Sequence, residues 1–208
     1  MINSYKIIDV SSWDRREHCL AFKNSAQPKY TVGFKVDVTA FYNRVKSKKL
    51  SFTLAMTHAV CKAAMTVEEL RYRFMGDDVV LYDSLDTAFT YIDKGGSLYK
   101  FVEVPYCDDV EEYISNAERI IGNQKVYFTG VPSLSVIQCS ALPWIDFTYV
   151  THTEGGNKRD SLPIVDWGKF SDVDGKLIMP VSIHAHHSFV DGIHVAKFIN
   201  TLQECLDN

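Results

Sequence analysis

The sequence lacks the segments that mark a membrane or disulfide-bonded protein. The 208-residue chain contains no run of about 18 apolar residues, so we expect no transmembrane helix. It does not open with a signal-peptide pattern, and its five cysteines are scattered without a Cys-x-x-Cys pair. These absences predict a protein of the reducing cytoplasm, with no membrane partner and no disulfide framework.

Several common enzyme and binding motifs are also missing. Neither Gly-x-Gly-x-x-Gly nor Gly-x-x-x-x-Gly-Lys-Ser/Thr occurs, which argues against Rossmann and P-loop nucleotide sites. No serine lies in Gly-x-Ser-x-Gly, the turn typical of α/β-hydrolases. The net charge is −4, so the chain has no basic excess that would indicate nucleic-acid binding.

The composition and pattern predict one mixed domain over residues 1–208. The hydrophobic fraction of 46% suffices for a substantial core. Period-two and helical patterns predict strands over residues 5–10, 30–38, 71–75, 79–82, 87–92, 98–104, 133–140, 144–151, 162–165 and 176–184. They predict helices over residues 13–22, 39–48, 51–70, 108–122 and 193–206, and a loop over 152–160. Because strands and helices do not alternate strictly, we expect an α/β (α+β) two-layer sandwich, a mixed β-sheet covered by helices.

A short stretch near the end of the chain, residues 184–192, concentrates the chemistry. Two adjacent histidines, His186 and His187, follow a predicted strand, and Asp191 precedes a predicted helix as a suitable N-cap. An imidazole held at such a turn can accept a proton near neutral pH, as a general base does. The alternative interpretation is a purely structural histidine–aspartate pair.

Two other candidate sites carry less signal. Histidines 184, 186, 187 and 194 lie close enough in sequence to bind zinc, but no nearby Cys or Glu completes a familiar ligand set. We therefore expect no metal. Ser140, at the end of a predicted strand and shortly before a proline, reads on its own as a turn residue.

Three separated segments give these residues a context. Residues 13–18, 140–144 and 186–200 resemble, in the same order, the chloramphenicol acetyltransferase family of CoA-dependent acyltransferases. The last segment carries the His-His-x-x-x-Asp-Gly signature of that superfamily. The resemblance spans nearly the whole chain and implies a CoA-dependent acyltransferase-like fold.

The resemblance implies a role for each residue of the predicted catalytic group. His187 would take the proton of an acceptor hydroxyl, and the oxygen would attack acetyl-CoA directly within a ternary complex. Ser140 would donate to the tetrahedral oxyanion, while Asp191 would pair with Arg15 to fix the turn that carries His187. The family pattern also implies a homotrimer with its sites between subunits.

Six positions match the acceptor pocket of the family: Phe22, Tyr99, Tyr127, Val150, His152 and Asp166. The first three remain aromatic, but Val150 replaces an aromatic residue, His152 an aliphatic one, and Asp166 a threonine. An added polar group can change acceptor preference. We predict acetylation of chloramphenicol or a similar small acceptor.

Other functions remain open at this stage. One alternative is an acyltransferase for a different hydroxylated or thiol acceptor, and a lipoyl acyltransferase domain belongs to this group. The other is a catalytically inactive, trimeric small-molecule binding protein.

Overall fold

The computed structural model describes residues 3–153 and 156–208, so residues 154 and 155 of the predicted loop lie outside the described residues. The strands are β1 Tyr5–Ile7, β2 Lys29–Asp37, β3 Tyr72–Met75, β4 Asp78–Tyr82, β5 Asp86–Ile92, β6 Tyr99–Val104, β7 Val136–Ala141, β8 Ile164–Trp167, β9 Ser171–Val173 and β10 Lys176–His186. The helices are α1 Arg16–Lys23, α2 Thr39–Ser47, α3 Phe52–Met65, α4 Val110–Asn123 and α5 Gly192–Asp207.

A mixed sheet organises the fold, in the order β2-β10-β8-β7-β5-β6, with β9 paired to β10. The β5–β7 and β7–β8 pairs are parallel, and the remaining pairs are antiparallel. Strands β1, β4 and β3 form a separate small sheet. The predicted two-layer arrangement of a mixed sheet and helices is therefore confirmed.

The two faces of the large sheet differ in character. Successive side chains of a strand point to opposite faces. On one face Val165, Val181 and Ile183 are buried in the main core, which also contains the buried side chains of α3 and α5. On the opposite face Asp166 is the register partner of both Ser140 and Ser182, so three polar positions lie side by side.

Helix α5 follows β10 after the turn over residues 187–191, and its apolar face packs into the core. Its buried side chains recur at helical spacing and are Val195, Phe198, Leu202 and Leu206. The predicted N-cap is confirmed, because Asp191 occupies that position. The ring of His194 completes the cap, since its Nδ1 accepts the backbone N–H of Asp191 at 2.9 Å.

The predicted strand over residues 144–151 is wrong. This segment has no strand pairing and instead crosses the sheet next to Gly33 of β2. A Cβ atom at Gly33 would lie 2.0 Å from the carbonyl oxygen of Thr148, so only glycine permits this close approach. Several apolar side chains of the segment are exposed, namely Trp144, Ile145 and Tyr149.

Two helix boundaries also differ from the prediction. Helix α1 begins at Arg16 instead of residue 13. The two serines before it, Ser11 and Ser12, are suitable capping residues, but their hydroxyls donate to the carboxylate of Asp9 and neither caps the helix. Helix α3 ends at Met65, and a separate 3-10 turn follows at Glu68–Arg71. Among the described residues, none of the helices has the length and apolar character needed to cross a bilayer.

Candidate active site

The turn between β10 and α5 holds His186 and His187 in different environments. The ring of His186 is buried: its Nδ1 accepts the N–H of Ser188 at 3.1 Å, and its Nε2 lies 2.9 Å from the carbonyl oxygen of Lys158. The backbone N–H of His187 donates to the carbonyl of Pro28 at 2.8 Å. The buried ring of His186 thus stabilises the turn through its hydrogen bonds, whereas the side chain of His187 is half-exposed.

Arg15 fixes this turn from the start of α1. Its Nη1 and Nη2 donate to the two carboxylate oxygens of Asp191, each at 2.7 Å. Its Nε donates to the carbonyl of Ser188 at 2.9 Å. Bidentate arginine–carboxylate pairs constrain geometry as well as adding energy. The hydrogen bonds from Arg15 hold the pKa of Asp191 below its ordinary value.

Two aromatic rings orient the imidazole of His187. Phe22 stacks on it at 4.1 Å between centroids with an interplanar angle of 10°, and Tyr30 lies at 4.7 Å. The hydroxyl of Tyr30 donates to the carbonyl of Val190 at 3.2 Å, and burial raises the pKa of Tyr30 to about 12.

The two nitrogens of the His187 ring are not equivalent. Nδ1 is buried and lies 3.2 Å from Asp191 Oδ1, without forming a hydrogen bond to another described residue. Because 37% of the side chain is exposed, the edge that carries Nε2 is the accessible one.

Ser140 lies elsewhere, on the polar face of the sheet, in a cavity of about 660 Å³. Its Oγ accepts a hydrogen bond from Thr90 Oγ1 at 3.4 Å. Most of the lining is apolar or aromatic, including Ile92, Tyr99, Phe101, Phe128, Trp144 and Ile164. A mostly apolar cavity with few polar groups is typical of a small-molecule site.

His152 and Asp166 form a pair at the border of this cavity. His152 Nε2 lies 3.0 Å from both carboxylate oxygens of Asp166. His152 also lines a second cavity of about 790 Å³, which reaches Tyr30, the ring packed against His187. Neither cavity is lined by His187 within one protomer.

The remaining predicted pocket residues are dispersed. Tyr99 lines the cavity of Ser140, whereas Phe22 lies with His187. Val150 is anchored through its backbone, since its N–H donates to Ser182 Oγ at 3.2 Å. Tyr127 is exposed and does not line the cavity; its carbonyl accepts the N–H of Phe101 at 2.8 Å.

A family model described as chloramphenicol acetyltransferase matches residues 3–203 of this chain. The chain belongs to the chloramphenicol acetyltransferase family. Chloramphenicol acetyltransferase 3 of Escherichia coli is 28% identical over 205 residues, covering 97% of this chain and 96% of the relative. The Staphylococcus aureus chloramphenicol acetyltransferase is 26% identical over 210 residues, covering 98% of this chain and 96% of the relative.

Solved structures agree with this assignment. A chloramphenicol acetyltransferase superposes with a TM-score of 0.85 at 28% identity, over 98% of both chains. A probable dihydrolipoamide acetyltransferase from Listeria monocytogenes shares the fold, with a TM-score of 0.65 at 14% identity, over 92% of this chain and 88% of that one. As a member of the chloramphenicol acetyltransferase family, this chain is an acyltransferase.

Two residues that contact the predicted catalytic residues His187 and Ser140 were not themselves predicted as site residues. Tyr30 packs on His187, and Thr90 contacts Ser140. Tyr30 begins the predicted strand over residues 30–38, but a strand pattern carries no information on which side chains each of its faces contacts. Within residues 3–153 and 156–208, no group of three or more His, Cys, Asp or Glu side chains is arranged to hold a metal ion.

Proposed function

We propose that this chain transfers the acetyl group of acetyl-CoA to a hydroxyl of chloramphenicol or a similar small acceptor, with His187 as general base. The observation that carries the proposal is the way the His187 ring is held. It is stacked on Phe22, and Arg15 fixes its turn by hydrogen bonds to Asp191 and Ser188. Such a fixed ring with one accessible edge can meet a substrate proton repeatedly in the same geometry.

The proposed reaction uses Nε2, the accessible ring nitrogen of His187. Nε2 of His187 takes the proton of the acceptor hydroxyl while the oxygen attacks the thioester carbonyl. The tetrahedral intermediate collapses, its carbon–sulfur bond breaks, and the imidazolium returns the proton to the departing CoA thiolate. Ser140 Oγ donates a hydrogen bond to the oxyanion, a contribution worth roughly 10²–10³ in rate for one such donor. No covalent acyl-enzyme forms in this scheme.

We further propose that the complete site forms between the subunits of a homotrimer. His187 lines neither of the two cavities beside Ser140 and His152, so one protomer does not bring the proposed base and oxyanion donor together there. Large apolar side chains are exposed around the two cavities: Phe128 and Trp144 line the cavity of Ser140, Val131 lies between two of its lining residues in sequence, and Tyr149 lines the second cavity. Exposed apolar surface of this kind is typical of an interface. A neighbouring protomer would then supply His187.

The test is CoA thiol release with acetyl-CoA and chloramphenicol, in the wild type and in His187→Ala. We expect His187→Ala to lower kcat by about 10²–10⁴, the usual contribution of a general base. His18→Ala is the matched control, since His18 is exposed on α1, and it should keep the wild-type rate. Wild-type turnover in His187→Ala, or none in the wild type, would refute the proposal. A monomeric mass by light scattering would refute the shared site.

A further inference from the structure

An ionisable pair lies at the border of the mostly apolar cavity of Ser140, which His152 lines. Asp166 has no exposed side-chain surface, and it lies between Ser140 and Ser182 across three neighbouring strands. In the described part of the chain, its carboxylate has one hydrogen-bond partner, the Nε2 of His152, at 3.0 Å from both oxygens. His152 and Asp166, which replace an aliphatic residue and a threonine of the family pattern, are therefore in direct contact.

The contact with Asp166 fixes the orientation of the His152 ring. A carboxylate buried away from water is costly unless it is paired and hydrogen-bonded. Asp166 therefore requires the Nε2–H of His152, and this requirement fixes which ring nitrogen turns inward. The loop that carries His152 is also anchored, since Val150 exchanges hydrogen bonds with Ser182 through its N–H and its carbonyl.

Nδ1, the other ring nitrogen of His152, is available to a ligand. No residue in ranges 3–153 and 156–208 hydrogen-bonds to Nδ1, and 27% of the side chain is exposed at the border of the two cavities. A purely apolar acceptor that fills the cavity would cover this nitrogen and leave it unpaired. A buried polar group without a partner disfavours binding.

We propose that the His152–Asp166 pair is a specificity determinant that selects acceptors with a second hydroxyl, placed on His152 Nδ1, besides the hydroxyl that is acetylated. A hydroxyl both donates and accepts, so it matches the imidazole whether Nδ1 carries a hydrogen or a lone pair. The preferred acceptor then combines an aromatic or apolar body, for Tyr99 and Phe101, with two hydroxyls. This inference rests on the proposed function, because it assigns the same cavity to the acceptor.

Calorimetric binding of matched ligand pairs tests the proposal without requiring turnover. One pair is 2-(4-hydroxyphenyl)ethanol and 2-(4-methylphenyl)ethanol; the other is chloramphenicol and its analogue without the non-acetylated hydroxyl. We expect the wild type to bind the hydroxylated member of at least one pair about tenfold more tightly, as one additional hydrogen bond allows. The double variant His152→Leu/Asp166→Thr removes both partners and should bring the ratio near one. His18→Leu, on the exposed side of α1, should keep the wild-type ratio.

The outcomes separate this inference from the proposed function. Equal binding of both members by the wild type, no binding of either, or a preference that survives in the double variant overturns the inference. Thiol release with chloramphenicol is measured on the same samples; its absence counts against the proposed function only. If the double variant does not fold, His152→Phe/Asp166→Asn, which keeps the ring and the shape of both side chains but leaves no ring nitrogen for a hydroxyl, should also bring the ratio near one.

Discussion

The molecule contains two histidine–aspartate pairs that are built in opposite ways. At the turn before α5, the carboxylate of Asp191 is bound by Arg15 through two hydrogen bonds of 2.7 Å, and His187 lies 3.2 Å away without hydrogen-bonding to it. On the polar face of the sheet, no arginine of the described residues contacts Asp166, and both of its oxygens face His152. In the first pair the aspartate depends on an arginine, and in the second it depends on the histidine.

This difference separates a histidine whose aspartate is bound by an arginine from a histidine that is itself the described hydrogen-bond partner of its aspartate. Because Arg15 already satisfies Asp191, His187 can gain and lose a proton without leaving a carboxylate unpaired. His152 is more restricted, because its Nε2–H must stay on Asp166 and only its Nδ1 can gain or lose a proton. The contact distances in the two pairs are nearly the same, so it is the remaining partners of each carboxylate that distinguish their roles.

The largest effect that we expect concerns stability and distinguishes the pairs directly. His152→Leu leaves Asp166 buried and unpaired, so it should lower the free energy of unfolding by about 3–5 kcal/mol. His187→Leu leaves Asp191 bound to Arg15, so this variant should change the free energy of unfolding by about 1 kcal/mol at most. Urea unfolding at neutral pH measures both variants.

A second substitution sharpens this comparison. Adding Asp166→Thr to His152→Leu removes the unpaired carboxylate, so the double variant should regain most of the lost stability. The coupling between two residues in contact is what a double-mutant cycle measures. Equal losses for His152→Leu and His187→Leu, or additive losses at positions 152 and 166, would contradict the contrast between the pairs.

A smaller effect is expected on catalysis when the arginine is removed from the first pair. Arg15→Ala releases Asp191, which can then turn to the Nδ1 of His187 and shift the ring on its loosened turn. A displacement of about 1 Å at a catalytic group can cost about 10² in rate, so kcat should fall by about that factor. Arg16→Ala is the control, since Arg16 is exposed and pairs with Glu17. Similar kcat values in both variants would show that the clamp on Asp191 is not needed for catalysis.

How far the sequence predicts the molecule depends on whether a feature is local. The turn from β10 to α5 and the N-cap at Asp191 follow from patterns within a few residues of each other, and the mixed α/β class follows from the order of such local patterns along the chain. The segment over residues 144–151 has a strand-like pattern, yet it crosses the sheet because Gly33, more than a hundred positions earlier, permits close packing. That contact is long-range and leaves no mark in the local pattern.

The same limit applies to the candidate site. The resemblance to a family allowed His187 and Asp191 to be chosen from a short motif, but it treated His152 and Asp166 as two separate departures. Their contact depends on β8 lying beside His152, the first residue of the predicted loop over residues 152–160. Likewise, the contact of Tyr30 with His187 required the register of β2 against β10.

The smallest expected effect is the pH dependence of the clamp on Asp191. The hydrogen bonds from Arg15 hold the pKa of Asp191 below its ordinary value of 3.8. A carboxylate with a lowered pKa in the folded state stabilises the fold above its unfolded-state pKa, and this contribution is lost as the pH falls through the folded-state pKa. The difference in unfolding free energy between the wild type and Asp191→Asn should therefore be constant from pH 7 to about pH 5 and shrink below about pH 4. Urea unfolding across this range measures it. A difference that does not change down to pH 2 would mean that folding does not lower the pKa of Asp191, and it would contradict the prediction.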